Sequence, residues 1–304
     1  MTPSASLNRS AALASICVAV FLVGLKTWAA FSTGSTAMLG SLADSALDLV
    51  ASLAMLAGVW VAAQPADEGH RFGHGKAEAL AAMFQVMLIS ISVVVISVRA
   101  VEHFLSGERT QAAAQGIGVS VIAMAATLGL LAWQRHVIRQ TGSLAIATDH
   151  VHYQSDLLLN LAVIGALTLD QYAGFSGADP LFGIAIAGWL GWSAWRASRR
   201  AIEQLMDREW PAEKKERFLA VIARHPDLRG VHDLRTRTSG NQDFVQFHAW
   251  VDPNMTVREA HKVMDDIEAR LQVEFPDVEI IIHPDPEGLV DEEGIAAEDV
   301  LPSA

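Results

Sequence analysis

The sequence predicts an α-helical membrane protein with six transmembrane helices and a C-terminal cytoplasmic α+β domain. Six apolar runs of membrane-spanning length fill residues 11–205, and from 209 onward charges are spread among hydrophobic residues as in soluble protein. The 304 residues are 51% hydrophobic and only 18% charged, against roughly 25% charged in a soluble domain. Mean hydropathy is +0.29. The expected division is residues 1–208 in lipid, 209–290 in water, and a disordered acidic tail at 291–304. Within that tail, "DEEGIAAEDV" carries five carboxylates and no base.

A helix needs about 20 mostly apolar residues to cross the hydrocarbon layer. The runs lie at about 11–32, 36–63, 78–104, 112–134, 143–170 and 178–205, separated by connections such as "STGST" and "YAGFSGAD". The first is too long for a signal-peptide core and lacks a cleavage pattern, so it reads as a retained helix. Six crossings put both termini on one side. Arg9 precedes the first helix, Arg71 and Lys76 lie in the second connection, and Arg135 and Arg139 in the fourth. Arg196, Arg199, Arg200 and Arg208 follow or close the sixth. The opposite connections offer Arg109, with Arg99 and Lys26 near helix ends and expected to snorkel outward. The positive-inside rule therefore places both termini and the soluble domain in the cytoplasm.

The soluble part reads α-β-β-α-β. "PAEKKERFLAVIARHP" predicts a helix over about 211–224 with Pro211 near its start. "VHDLRTRTSG" and "DFVQFHAWVD" alternate like strands around the turn "SGNQ". "TVREAHKVMDDIEARLQVEF" has helical periodicity, with Thr256 as N-cap and Glu259 three residues on. "DVEIIIHPDP" is a last strand. This order suits a small open sheet with helices on one face.

The second run contains "LADSALDLV", which places Asp44 and Asp48 one helical turn apart among apolar residues. Residues four apart share a helix face. Two like charges there repel, and the cost becomes tolerable if they share a cation. The fifth run repeats the spacing in "DHVHYQSDLL", where His152 and Asp156 share a face. Three carboxylate oxygens and one imidazole nitrogen can make a tetrahedral site, and Zn²⁺ accepts O and N ligands in that geometry. An isolated Asp would equally serve as a helix–helix hydrogen bond or a proton relay. Two such pairs on different helices, one with a His, favour metal. Asp149 and His150 point elsewhere on the wheel and read as entrance or interface residues. Asn160 is expected to hydrogen-bond behind the ligands.

Some functions are disfavoured. A net charge of −12 argues against nucleic acid. The lone Cys17 allows no internal disulfide and no thiolate cluster. There is no HExxH, and four protein ligands leave no open metal position for water, which argues against a metalloenzyme.

The second connection, "PADEGHRFGHGKAEAL", completes a set of four motifs in order. The DxxxD of the second helix, the HxxxD of the fifth, the "HRFGHGKAE" loop and the tail domain resemble the cation diffusion facilitator family, in its bacterial YiiP-type zinc branch. The resemblance spans about 8–290. It implies a second metal site at Asp67, His70 and His74. Spacing alone argues this more weakly, because four residues in a Gly-containing loop need not share a face. It implies a third, two-metal region at His232, His248, His261, His283 and Asp285, in a metallochaperone-like domain and at the contact between two tails. It also implies a homodimer, and an ion pair between Lys76 and Asp207 that ties the third and sixth helices. His225 and His103 fit no site, and His136 is expected to face anionic lipid heads.

The function so implied is efflux of Zn²⁺, with Cd²⁺ plausible, from a bacterial inner membrane. Protons would run the other way by alternating access, and the tail sites would sense cytoplasmic metal. The alternatives are a family member selective for Fe²⁺, Co²⁺ or Ni²⁺, and a membrane metal sensor that transports nothing.

Overall fold

The computed structural model describes residues 3–33, 36–106, 117–173, 178–223, 225–240 and 242–288. Arg109 and the acidic tail lie outside the described residues, as does the expected start of the fourth helix at 112. The chain divides into two units, Met1–Ile202 and Glu203–Ala304.

The first unit is helical: α1 (Pro3–Thr33), α2 (Thr36–Ala62), α3 (Ala77–Ser106), α4 (Ile117–Thr141), α5 (Leu144–Ala173) and α6 (Ala178–Leu205), the last ending just past the boundary. α1 starts well before its apolar run, with Pro3 at the first position, where a missing N–H costs nothing. α4 runs past the expected 134 to Thr141 because Val137 is buried against Ala11, Met55 and Ile146. It stops at Gly142, whose φ of +66° suits a left-handed helix end and whose N–H donates to Ile138 O at 2.8 Å.

Among the described residues, four helices, α1 to α4, are long and apolar enough to cross a membrane by length and composition alone. The other two carry more polar groups: Asp149, His150, His152 and Asp156 in α5, and Arg196, Arg199 and Arg200 in α6. Small residues let the helices approach closely, as lipid-embedded packing requires. A Cβ on Gly58 of α2 would lie 2.3 Å from Ala81 Cβ of α3, so only glycine fits there. Ile186, Leu190 and Ala194 of α6 pack on Val86 and Ile89 of α3. Trp28, Trp60, Val94 and Trp192 are exposed, as lipid-facing side chains are.

The second unit holds α7 (Ala212–Ile222), β1 (Gly230–Ser239), β2 (Gln242–Val251), α8 (Val257–Glu274) and β3 (Val278–Pro286). Pro211 is the N-cap of α7. Thr256 and Glu259 close the expected capping box on α8: Glu259 N donates to Thr256 Oγ1 at 3.3 Å and Thr256 N to Glu259 Oε2 at 2.8 Å. The sheet order is β1-β2-β3, antiparallel then parallel. Val245, Phe247, Ala249 and Val251 point into one core with Ala260, Met264, Ile267 and Leu271 of α8. The period of two therefore sends His248 and Trp250 to the opposite face. Asp207, with φ +55°, pairs with Arg237 at 3.8 Å.

Candidate metal centres

The membrane centre joins α2 to α5. His152 Nε2 lies 3.0 Å from Asp48 Oδ1. Asp48, His152 and Asp156 each offer a ligand atom within 4.8 Å of the others. With metal–ligand bonds of about 2.0–2.1 Å, the edge of a tetrahedron is about 3.4 Å, so small side-chain shifts suffice to cage an ion. These three residues line a cavity of about 530 Å³ together with Asp44, Arg99 and Ser155. Asp44 is exposed and stands outside the trio. Asn160 does not support the ligands as expected: its Nδ2 donates to the backbone oxygen of Asp156 at 2.7 Å.

Two polar side chains differ from expectation. Lys26 does not snorkel away; its Nζ reaches Ser45 Oγ at 2.6 Å and Ser41 O at 3.2 Å, tying α1 to α2. Asp149 is no entrance residue; it is fully buried. It accepts from Ser15 Oγ at 2.8 Å, Gln85 Nε2 at 2.8 Å and Gln134 Nε2 at 2.7 Å, which gathers α1, α3, α4 and α5 around one carboxylate. His150 Nδ1 joins the same network, 3.2 Å from Gln134 Oε1. Next to His152, Tyr153 is buried and shares a 2.9 Å hydrogen bond with Ser52 of α2. Any ionisable group inside a membrane unit has a claim to function, and that signal was available for Asp149. Asp149 lies off the helix face that carries His152 and Asp156, so the ligand spacing does not reveal it.

The loop centre does bring its residues together. Asp67 Oδ1 lies 3.4 Å from His70 Nδ1, and Asp67 Oδ2 lies 3.4 Å from His74 Nε2. The two imidazole centroids are 4.4 Å apart. Backbone N–H groups of His70 (2.6 Å) and Gly69 (2.9 Å) donate to Asp67 Oδ1. The His70 bond is the main reason its carboxyl is held below the usual carboxylate range. His74 Nδ1 lies 3.2 Å from Pro65 O, which leaves Nε2 turned toward Asp67.

The third centre lies on the sheet face opposite the helices. His232 pairs in register with His248, and His248 with His283, so three imidazoles cross the strands in a row. Asp285 follows two residues after His283 on the same face. Its Oδ2 is 3.3 Å from His232 Nε2 and 2.7 Å from His248 Nδ1, while Oδ1 is 3.2 Å from His283 Nε2. His232 Nδ1 is buried and, among the described residues, has no hydrogen-bond partner. One carboxylate with an imidazole on each side and an orphaned buried ring nitrogen is a donor set that suits a borderline divalent transition-metal ion. Asp233, displaced by the irregularity between His232 and Arg235, comes within 3.9 Å of His248 Nε2; no spacing in the sequence announced it. His261 does not join this cluster. It sits on α8, on the other side of the sheet, is 76% exposed, and faces Asp265 at 3.8 Å. His225 is buried, its Nδ1 accepting from Asp227 N at 3.3 Å, and His136 stacks on Trp133.

A helical membrane unit with a carboxylate–imidazole cavity and a small α+β unit with a histidine–aspartate cluster suit a cation transporter. The profile of the cation efflux transmembrane domain matches residues 12–206, and that of the cation efflux protein cytoplasmic domain matches 210–287. The chain belongs to this cation efflux family, the cation diffusion facilitators, whose members export divalent metal cations. It is 41% identical over 280 residues to the cation-efflux pump FieF of Klebsiella pneumoniae, covering 92% of this chain and 93% of that one. It is 42% identical over 276 residues to the pump of that name from Cronobacter sakazakii, covering 91% and 92%. Among solved structures, the metal-bound C-terminal domain of the CzcD transporter from Thermotoga maritima is 27% identical, covering 27% of this chain and all of that one, with a TM-score of 0.25.

Proposed function

We propose that the protein exports Zn²⁺, and also Cd²⁺, in exchange for protons. The observation that supports this most directly is the convergence of Asp48, His152 and Asp156 on one cavity between helices. The cargo ion enters from the cytoplasm and is held by these three residues, with Asp44 closing on the fourth position as the helices rock to the other side. The chemistry that binds the ion also releases it. Carboxylates and an imidazole accept protons as readily as metal, so each displaces the other. An imidazole among the ligands favours zinc-type ions over Mn²⁺ or Mg²⁺, which prefer oxygen alone.

The protein works as a homodimer in the bacterial inner membrane, with both termini cytoplasmic and a soluble domain over 209–290. Lys76 and Asp207 would tie the third and sixth helices near the dimer contact. The loop trio and the cluster around Asp285 bind resident metal and report its cytoplasmic level, the ligands being Asp67, His70 and His74 in one and His232, His248, His283 and Asp285 in the other. His261 would meet such a cluster only from a second copy, given its place across the sheet.

The test is uptake into proteoliposomes carrying an internal pH dye, with a panel of Zn²⁺, Cd²⁺, Fe²⁺, Co²⁺, Ni²⁺ and Mn²⁺. Zn²⁺ and Cd²⁺ should enter with opposite proton movement, and Asp48→Ala should abolish both signals. Metal uptake without proton movement would sink the exchange, and preference for Mn²⁺ would sink the assigned selectivity.

A further inference from the structure

One side chain joins the metal-binding loop to the helix that carries His152. The loop runs directly into α3: Ala77 N donates to His74 O at 2.9 Å and Glu78 N to Gly75 O at 3.2 Å. Glu78, four residues after His74, is only 4% exposed. Its carboxylate turns away from the loop to α5. It accepts from Ser143 Oγ and lies beside the backbone amides of Leu144 and Ala145, the first two residues of that helix. Ser143 caps the next donor itself, taking Ile146 N at 3.3 Å. The start of α5, whose first amides have no partner within the helix, is thus tied to a carboxylate of α3 through Ser143. A carboxylate there also suits the positive end of the helix dipole. From this anchor α5 continues unbroken to His152, about 12 Å along the axis at ~1.5 Å per residue.

We propose that Glu78 is a positioning residue for transport, holding the first turn of α5 so that filling of the loop site is felt at His152. This rests on reading the loop trio as a metal site. The link is short and made of directed hydrogen bonds. A loop that closes on an ion moves His74, the turn after it, and the carboxylate that holds α5.

The test uses the full chain in proteoliposomes, with Zn²⁺ uptake measured for wild type, His70→Ala, Glu78→Ala and the double variant. Zn²⁺ bound per chain is measured in parallel for wild type and His70→Ala. Glu78→Ala should raise the KM for Zn²⁺ about fivefold while the maximal rate changes little. Glu78→Gln, which keeps an acceptor oxygen, should recover most of that loss. The double variant should be no worse than Glu78→Ala, because both changes cut one link. If the two effects multiply, or if Gln does no better than Ala, the link is overturned and Glu78 only stabilises the fold. If His70→Ala binds as much Zn²⁺ per chain as wild type, the loop reading itself fails and the link falls with it. Ser143→Ala, which removes only the hydroxyl partner, replaces Glu78→Ala in the same comparison should that variant not fold.

Discussion

His152 Nε2 stands 3.0 Å from Asp48 Oδ1, so the membrane centre is a direct contact between α5 and α2. In the proposed exporter both residues hold the cargo ion. Loss of outer partners of metal ligands commonly costs 10–100-fold in affinity. Loss of a ligand should cost at least the upper end. Asp48→Ala is expected to lower Zn²⁺ uptake in proteoliposomes about 100-fold or more with helix content unchanged. Uptake within threefold of wild type would remove Asp48 from the pathway.

Asp149 is held by three neutral donors, from Ser15, Gln85 and Gln134. Asp149→Asn turns one acceptor oxygen into an N–H₂ group facing other donors. A buried polar group left without its partner costs roughly 1–3 kcal/mol. The variant should therefore unfold in detergent several degrees below wild type. Adding Gln134→Glu, which offers an acceptor to the new amide, should recover part of that loss. A variant as stable as wild type would show that the network contributes nothing to holding the four helices.

What could be read in advance followed the strength of local patterns. Strict alternation in "DFVQFHAWVD" and the Thr256–Glu259 spacing each act within one turn or one strand, and β2 and the capped α8 form where those patterns place them. The two i,i+4 pairs likewise placed Asp48, His152 and Asp156 on facing surfaces. The residues misread depend on contacts far apart in sequence. Asp149 meets Ser15 and Gln85, and Lys26 meets Ser45, only after the helices pack. His261 lies among the other histidines in sequence but across the sheet in space, because α8 crosses over between β2 and β3. No one-dimensional spacing carries that information.

In the loop centre, Asp67 stands between His70 and His74, 3.4 Å from each. The N–H of His70 holds the folded pKa of Asp67 below 3.8, so its contribution to loop order is complete above that value. That contribution is lost only as pH falls through the lower folded value. Between pH 7 and 5 the carboxylate keeps its charge and stays available as a ligand. Asp67→Asn should therefore bind Zn²⁺ in the loop about tenfold more weakly at pH 7, for the lost charge. This is measured by calorimetry with Asp48 and Asp285 both replaced, to silence the other centres. Zn²⁺ binding within twofold of wild type would remove Asp67 from the ligand set.

Asp285 places one oxygen against His232 and His248 and the other against His283, so it is the common member of the third centre. Its side chain is only 9% exposed, held between the imidazoles. Asp285→Asn keeps the shape and removes a carboxylate oxygen from the ligand set. An ion that binds only the folded state at 100 times its Kd adds about 2.7 kcal/mol to stability. Zn²⁺ should slow hydrogen exchange of β1, β2 and β3 amides in the full-length protein by about that amount, roughly a hundredfold. Asp285→Asn should lose nearly all of this protection, whereas His261→Ala, altered on the far side of the sheet, should lose much less. If Asp285→Asn keeps full Zn²⁺ protection, the ion is not held by this carboxylate. If His261→Ala instead shows the larger loss, the α8 side of the domain carries the ligands, and the row of imidazoles across the strands has some other role.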